Sequence, residues 1–448
     1  MAQNIVTQSA GTALPWQLQR SWRKAFQERT QGMALERWRC VGIDIGKYEH
    51  VAVLQDGQGR ILAGPLRFGI SQAEMERFHT WLSPWVSGKD VELFIGMEPT
   101  GHYYESCAHA LAQRYGVKQI YLIQARDTAH QRGEWNQGSF KNDEVDACII
   151  AELLRRGHGR PYQAAQGPYL ALYHLERHRL AQEKACTRLK NQIIGHVDRL
   201  YPGLVIQHRE LAERYKPLFR GLWTQETPRR LLELYANPYS LHQQTAEDLV
   251  RTFHAANYWM SRPYAQTILT AVKQLCLPDP SLAAIRSTLL YQDLQRLARM
   301  EQELADTEAV MVSHLDETWG RWLRSTGVDP ARLACLVATI GDLNQYPSAR
   351  QLFGRSGLHS RCTDSGTRQQ RGQGEHMVKA GDRHLRRQLM RFAVCMIARY
   401  PSLRSYTVQL QKRGKNATTA QVAVARKLTS IIYAIGTRQA PFDPAFLA

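Results

Sequence analysis

The chain has 448 residues, with 58 lysines and arginines against 40 acids, which gives a formal charge of +18 and a pI near 9.7. Hydrophobic residues make up 44%, and no apolar run approaches the ~18 residues of a membrane span, so an integral membrane protein is excluded. Eight scattered cysteines without a Cys-x-x-Cys pair argue against a structural zinc site or a disulfide framework and predict a reducing cytoplasm.

The positive charge is concentrated toward the C-terminus. Residues 346–430 hold 17 lysines and arginines but only 3 acids, which is most of the excess of the whole chain. A solvated basic face would explain the charge of any one helix in this stretch. A phosphate-binding surface better explains an excess that continues over 85 residues. The charge therefore predicts DNA or RNA as the partner.

Residues 1–38 are predicted to form a basic N-terminal extension. Their aromatic and basic residues are spaced as in an amphipathic helix that runs to about Arg37. Such a helix packs on the body of the protein or contacts nucleic acid, and packing is favoured.

Strand signals then alternate with helix signals up to residue 165. Short apolar runs bounded by turn residues predict strands over 40–46, 50–55, 60–68, 91–97 and 118–123. Helices are predicted over 71–85, 101–116 and 143–156. Three strands followed by alternating helices and strands predict an α/β domain over 39–165. Its sheet is expected to be mixed, and the order of its elements matches the ribonuclease-H-like fold.

The rest of the chain has helical patterns. Long polar helices are predicted over 169–200 and 281–322, and the prolines between them indicate short helices and turns. Residues 166–328 are therefore predicted to be a helical coiled-coil region with an insertion. Residues 329–448 are predicted to be a compact, basic, mainly α-helical domain.

Four acids of the α/β domain stand where metal-dependent chemistry needs them. Asp44 lies within the first strand and Glu98 ends the fourth, where a carboxylate without a partner is costly. Asp143 and Asp146 are three residues apart at a helix start, so they share one face. Converging carboxylates repel one another unless a hard cation compensates, which predicts Mg²⁺, with Mn²⁺ as a substitute. Two such ions ~4 Å apart would clamp the oxygens of a phosphodiester.

Each acid also has a structural interpretation. Asp143 would serve as a helix N-cap, and Asp44 as a salt-bridged core residue. The GIDIGK strand also suits the actin and sugar-kinase fold, but the second Asp-Gly-rich loop and the Gly-Gly adenosine turn of that fold are not found in the sequence. The order of the four acids along their elements favours the metal site.

Two sets of motifs resemble one transposase family. GIDIGK, MEPTGHYYE and KNDEVDACIIAELL are similar to the Asp-Glu-Asp-Asp domain of insertion-sequence transposases, which is itself similar to the Holliday-junction resolvase RuvC. The stretch GRSGLHSRCTDSGTRQQRGQGEHMVKAGDRHLRRQL is similar to the second domain of that family. The resemblance covers residues 40–200 and 330–435 and indicates insertion-sequence family one-ten, whose members act as bridge-RNA-guided recombinases.

The resemblance implies a mechanism and partners. Asp44, Glu98, Asp143 and Asp146 match the metal-binding tetrad of the family, and Ser365 matches its serine nucleophile. The serine would attack a DNA phosphate and form a phosphoserine while Mg²⁺ stabilises the charge. The acids of one protomer would meet the serine of another. The implied partners are DNA, a guide RNA and further copies of the chain, as a dimer or tetramer, without a membrane.

Basic residues on both sides of Ser365 fit a phosphate site. Arg361, Arg368 and Arg371 lie near it in a Gly-rich loop, and bidentate arginines suit a phosphodiester. The stretch 379–387 is similar to a family signature and predicts phosphate contacts from four further cations: Lys379, Arg383, Arg386 and Arg387. By its neighbours alone Ser365 would be a turn serine, and the family match makes it a nucleophile.

The sequence departs from the family pattern in several places. Asp364 stands where many members have serine, and the helix-hairpin-helix turn before it is reduced to a weak form in 325–343. Residues 1–38 and 202–280 are additions to the core pattern. The prediction is a DNA transposase. The alternatives are a hydrolytic junction resolvase that uses the acids alone and a non-catalytic DNA- or RNA-binding protein, against which the intact acids argue.

Overall fold

The structure is a computed structural model, and it describes residues 26–88, 90–136, 142–162, 167–206, 209–215, 217–358 and 381–447. The chain forms two compact units. The first comprises residues 1–170, 342–438 and 443–448, and the second comprises residues 171–341 and 439–442.

Six strands form one mixed sheet in the first unit. They are β1 (Trp38–Ile45), β2 (His50–Gln55), β3 (Ile61–Phe68), β4 (Glu92–Met97), β5 (Ile120–Leu122) and β6 (Arg160–Pro161). The order is β3-β2-β1-β4-β5-β6, in which β4 runs parallel to β1 and β5 and the other neighbours are antiparallel. The predicted mixed α/β architecture is confirmed. β5 is shorter than predicted because residues 117–119 form a 3-10 turn.

Four helices accompany the sheet. They are α1 (Gln72–Val86), α2 (Tyr103–Tyr115), α3 (Ala125–Asn136) and α4 (Asp143–Arg155). Three of them match predicted helices, and Ser71 caps α1 by accepting a hydrogen bond from the backbone N–H of Glu74. α3 was not predicted, because its sequence ARDTAHQRGEWN is polar, contains Gly133 and has no apolar stripe.

The segment before β1 packs on the sheet. Residues 26–30 are helical, so the helix predicted to run to Arg37 ends earlier. Phe26 is buried against Phe94 of β4, with ring centroids 4.5 Å apart. Arg29 forms an ion pair with Glu92 at the start of the same strand.

Two glycines allow α4 to lie directly on the sheet. Gly42 of β1 and Gly96 of β4 are paired in register. A Cβ on Gly42 would collide with the backbone of Ala147 and Ala151 in α4, and one on Gly96 would press on the side chain of Leu154. A larger residue at position 42 would therefore displace α4 from the sheet, which fixes the depth at which α4 packs.

One histidine is buried in this domain without a suitable partner. His50 begins β2, is 3% exposed and packs edge-on against Phe68. Neither ring nitrogen has a hydrogen-bond partner of normal geometry among the described residues. Burial lowers the pKa of His50 below its ordinary 6.5, and the nearby backbone of Glu49 offsets this only in part.

His50 is expected to lower the free energy of unfolding at acidic pH. Because the folded-state pKa of His50 lies below 6.5, the unfolded chain binds more protons, and the free energy of unfolding falls as the pH drops below that value. Urea unfolding at pH 7.5 and 5.5 would show a smaller loss for His50→Leu than for the wild type. His79, whose pKa is also lowered by burial, is present in both proteins, so the comparison isolates His50. Equal losses in the two proteins would contradict the prediction.

The second unit is helical. Its helices are α5 (Pro168–Leu200), α6 (Arg209–Tyr215), α7 (Glu226–Leu234), α8 (Pro238–His242), α9 (Ala246–Ala255), α10 (Arg262–Lys273), α11 (Pro280–Asp316) and α12 (Pro330–Ile340). The long helices α5 and α11 pair antiparallel, since Arg179 contacts Glu308 and Lys190 contacts Glu301. The helices α7 to α10 share one hydrophobic core with them. α11 ends earlier than predicted, and a 3-10 helix covers residues 319–326.

The last part of the first unit is also helical, as predicted. It contains α13 (Ala349–Ser356), α14 (Arg383–Arg399), α15 (Pro401–Lys412) and α16 (Ala417–Arg438), and α16 contacts the other three. Across the described parts of the chain, we find no helix whose length and apolar character would let it span a bilayer.

Candidate active site

Two of the predicted acids lie side by side at one edge of the sheet. β1 and β4 are parallel, and Ile43 pairs with Met97 at the end of their register. Asp44 is the next residue of β1 and Glu98 directly follows the last residue of β4, so both come to the carboxyl edge of neighbouring strands. Side chains alternate between the two faces of a strand, which places both acids on the face of Gly42, where α4 packs.

The start of α4 faces the same edge. Arg155, at the far end of α4, donates a hydrogen bond to the carbonyl oxygen of Gly57, 3.2 Å away. Gly57 in turn donates a backbone hydrogen bond to Leu35, just before β1 begins. α4 therefore runs antiparallel to β1, and its first turn, with Asp143 and Asp146, lies toward the carboxyl edge. Asn142, rather than Asp143, is the N-cap.

α3 supplies polar partners to two of these acids. The Arg132 guanidinium donates to Asp146 from Nε at 2.7 Å, and Nη2 lies 2.6 Å from the same carboxylate oxygen. The side chain of Asp146 is only 7% exposed, so this ion pair is largely shielded from water. The Thr128 hydroxyl lies 2.6 Å from Oε2 of Glu98 and donates to it. Sequence reasoning missed both residues because it missed α3.

The donor set suits a divalent cation, but the acids are not arranged as a ligand cluster. Carboxylate oxygens on one face of one edge are the ligands that Mg²⁺ and Mn²⁺ prefer. Within the described ranges, however, no three His, Cys, Asp or Glu side chains are grouped so that they would hold a metal ion. Arg132 instead provides the positive charge beside Asp146. The structure thus brings the four acids to one edge without closing a metal site around them.

The residues on either side of the predicted serine-bearing segment lie against each other. Ser365, Arg361, Arg368, Arg371 and Lys379 lie outside the described residues. Gly381 has φ +127°, and a Cβ there would lie 2.9 Å from the carbonyl oxygen of Arg355 and 2.9 Å from the backbone nitrogen of Gly357. This contact allows only glycine at position 381.

An ion pair also joins the residues on either side of the serine-bearing segment. Arg355 pairs with Asp382 at 3.1 Å and also contacts the Tyr346 hydroxyl. Burial acts to lower the pKa of Arg355, but its interactions with the Tyr346 hydroxyl and the Asp382 carboxylate outweigh burial and raise the pKa above its ordinary value. Arg355 is therefore a permanent cation at the base of the serine-bearing segment.

The predicted phosphate-binding arginines that are described lie at the start of α14. Asp382 caps this helix by accepting hydrogen bonds from the backbone N–H groups of His384 and Leu385. Arg383 is exposed, and Arg386 and Arg387 are half-buried. Three cations therefore lie on the first turns of α14, near the positive end of its helix dipole.

Two family models match the chain. A model named for the DEDD domain of IS110 transposases and described as "Transposase" covers residues 41–202. A model described as "Transposase IS116/IS110/IS902 family" covers residues 322–408. The first match includes all four acids, and the second includes Ser365 and the start of α14.

Curated relatives agree with these matches. An insertion element IS110 uncharacterized 43.6 kDa protein of Streptomyces coelicolor is 26% identical over 66% of this chain and 71% of its own length. An insertion element IS900 uncharacterized 42 kDa protein of Mycobacterium paratuberculosis is 25% identical over 92% of this chain and 98% of its own. A pilin gene-inverting protein of Moraxella bovis is 30% identical over 26% of this chain and 36% of its own.

Proposed function

Because the chain belongs to the IS116/IS110/IS902 family of transposases, we propose that it cuts and rejoins DNA strands at the ends of an insertion sequence with a carboxylate tetrad and a serine nucleophile. One observation carries the proposal. Asp44, Glu98 and the first turn of α4 lie at one edge of the sheet, within the matched DEDD segment. The family makes the chain a DNA transposase, and the tetrad and the serine are the groups that we propose carry out its reaction.

The sheet supports a ribonuclease-H-like, RuvC-like domain. An antiparallel set of three strands is followed by parallel strands, in the order β3-β2-β1-β4-β5. A helix crosses β1 and β4 and brings its first turn to their carboxyl edge. This arrangement assigns Asp44 to the central strand, Glu98 to its parallel neighbour and Asp143 and Asp146 to the covering helix.

The divalent metal that DEDD-type transposase domains use would be held by four carboxylates: Asp44, Glu98, Asp143 and Asp146. We propose that the metal is Mg²⁺, with Mn²⁺ as a substitute. When bound, the metal offsets the charge that develops on the phosphate oxygens. The acids supply negative charge and oxygen ligands, and the glycine contacts under α4 hold their spacing. Arg132 contacts Oδ1 of Asp146, so it would compete with an ion for that oxygen.

Ser365 would form a covalent intermediate with the DNA strand. Its Oγ attacks the phosphorus, a phosphoserine ester forms, and the bond from phosphorus to the leaving deoxyribose oxygen breaks, so that this oxygen departs as a hydroxyl. A hydroxyl of the second strand then reverses the step and restores the serine. The cations Arg383, Arg386 and Arg387 would hold the phosphate backbone beside it.

The family resemblance also supports RNA guidance and oligomeric assembly. A bridge RNA would select the DNA, and the acids of one protomer would act with the serine of another. The likeness to a pilin gene-inverting protein, which by its name inverts a gene, supports rejoining of strands over simple hydrolysis.

The test is excision of the element in cells. The protein is expressed from a plasmid that carries its own element with flanking DNA, and the excised circle is measured by amplification across its junction. We expect the circle from the wild type, and its loss with either Asp143→Ala or Ser365→Ala. Glu210→Ala, an exposed acid on α6, is the matched control and should leave the circle unchanged.

The outcomes separate the chemistries. Loss with Asp143→Ala alone would reject Ser365 and leave a nuclease or resolvase that uses the acids. A circle that survives Asp143→Ala would reject the tetrad. No circle from the wild type under these conditions, with its RNA-encoding flanks present, would count against recombination.

A further inference from the structure

The turn between β1 and β2 carries an aromatic side chain into solvent. Tyr48 is 80% exposed, and no other large hydrophobic side chain in the described part of the chain is more exposed. The Lys47 ammonium lies 4.8 Å from the centre of its ring. Tyr48 lies four positions after Asp44, so the turn projects from the same edge of the sheet as the acids.

Contacts within this turn and with β3 hold it in place. The carbonyl oxygen of Glu49 comes so close to Gly46 that a Cβ there would not fit. The Glu49 carboxylate pairs with Arg67 of β3 at 2.9 Å, and Arg67 also pairs with Glu144 at 3.1 Å. Glu144 lies in the first turn of α4, beside Asp143. The turn is thereby tied to the helix that presents two of the acids.

We propose that Tyr48 stacks on an unpaired base of the DNA strand next to the phosphodiester that is cut, while Lys47 contacts the adjoining phosphate. The inference rests on the proposed function, since it needs DNA at the carboxylate edge. An exposed aromatic ring with a cation on it is the pairing that binds single-stranded nucleic acid, through stacking and phosphate attraction. The ligand is DNA rather than the guide RNA, because the strand that reaches the acids is the one that is cut.

The experiment uses the full-length protein purified with its own RNA. The probe is an oligodeoxynucleotide of the element end in which the base next to the cut position is 2-aminopurine, whose fluorescence falls on stacking. We expect Tyr48→Ala to weaken binding about 5- to 150-fold and to abolish the quenching. Tyr48→Phe keeps the ring and should retain both.

Tyr215 provides a matched control. It is 60% exposed and has the Arg214 guanidinium 5.2 Å from its ring centre, so it repeats the cation–aromatic pair in the second unit. Tyr215→Ala should leave the affinity and the quenching unchanged. An equal loss from Tyr215→Ala would overturn the proposal, because it would show a general effect of exposed aromatic rings.

One further outcome overturns the proposal, and the excision test separates that failure from a failure of the proposed function. If Tyr48→Ala leaves quenching and affinity for DNA intact, or weakens only the binding of a labelled guide RNA, Tyr48 does not stack on the cut strand. If Asp143→Ala abolishes the excised circle in either case, the transposase chemistry stands and only the role of Tyr48 falls.

Discussion

Arg132→Gln is expected to destabilise the metal-free protein and to strengthen its binding of Mn²⁺. Arg132 is the cation beside Asp146, whose side chain is 7% exposed. Removing one partner of a buried ion pair costs about 3–5 kcal/mol, since the other charge is left uncompensated. The same change frees a carboxylate and removes a competing charge. A unit charge ~4 Å from the ion contributes about 1 kcal/mol even in bulk water, so the affinity should rise about 5-fold or more.

Two measurements check this prediction. The urea midpoint is determined with EDTA and with saturating Mn²⁺, and free Mn²⁺ is titrated by electron paramagnetic resonance. The variant should unfold earlier than the wild type in EDTA and recover most of the difference in Mn²⁺. Arg126→Gln, on the same helix but itself exposed beside Asp127, is the control and should change neither quantity. Weaker Mn²⁺ binding by the Arg132 variant would mean that Arg132 positions Asp146 for the metal instead of competing with it.

Arg179→Met is expected to lower the free energy of unfolding of the second unit by about 3–5 kcal/mol. Arg179 is 4% exposed and lies among three carboxylates, from Glu176 at 2.6 Å, Glu308 at 3.4 Å and Glu183 at 3.5 Å. The neighbouring charges raise its pKa above the ordinary value although burial acts to lower it. Without the guanidinium, the buried Glu176 and its neighbours would repel one another where α5 meets α11.

Hydrogen exchange of the α5 amides and the urea midpoint together measure this effect. Arg177→Met, two residues away and exposed, serves as the control and should fall within about 0.5 kcal/mol of the wild type. Adding Glu176→Leu to the Arg179 variant should restore part of the loss, because it removes one of the unpaired charges. A loss below about 1 kcal/mol for Arg179→Met would show that water enters the cluster and solvates the carboxylates.

Much of the fold is encoded locally and was therefore predictable. The apolar runs that become β1, β2 and β4 are bounded by glycine or turn residues, and the structure has strands at those places. α4 was predicted within one residue, because its apolar positions repeat with helical spacing after Asn142. α3 shows the limit of such patterns. Its residues are polar around the whole helix, so its formation depends on contacts with α4 that a local window does not contain.

The identities and order of Asp44, Glu98, Asp143 and Asp146 were determined by the sequence alone, and so was the family, through motifs on both sides of the second unit. Only the tertiary structure decided what surrounds these acids. The partner of Asp146 is Arg132, and the turn that carries Tyr48 is linked through Arg67 to α4. Ion pairs such as Arg67 with Glu144 join residues 77 positions apart. Strand register and the glycine contact under α4 create that proximity, and no local pattern of side chains encodes it.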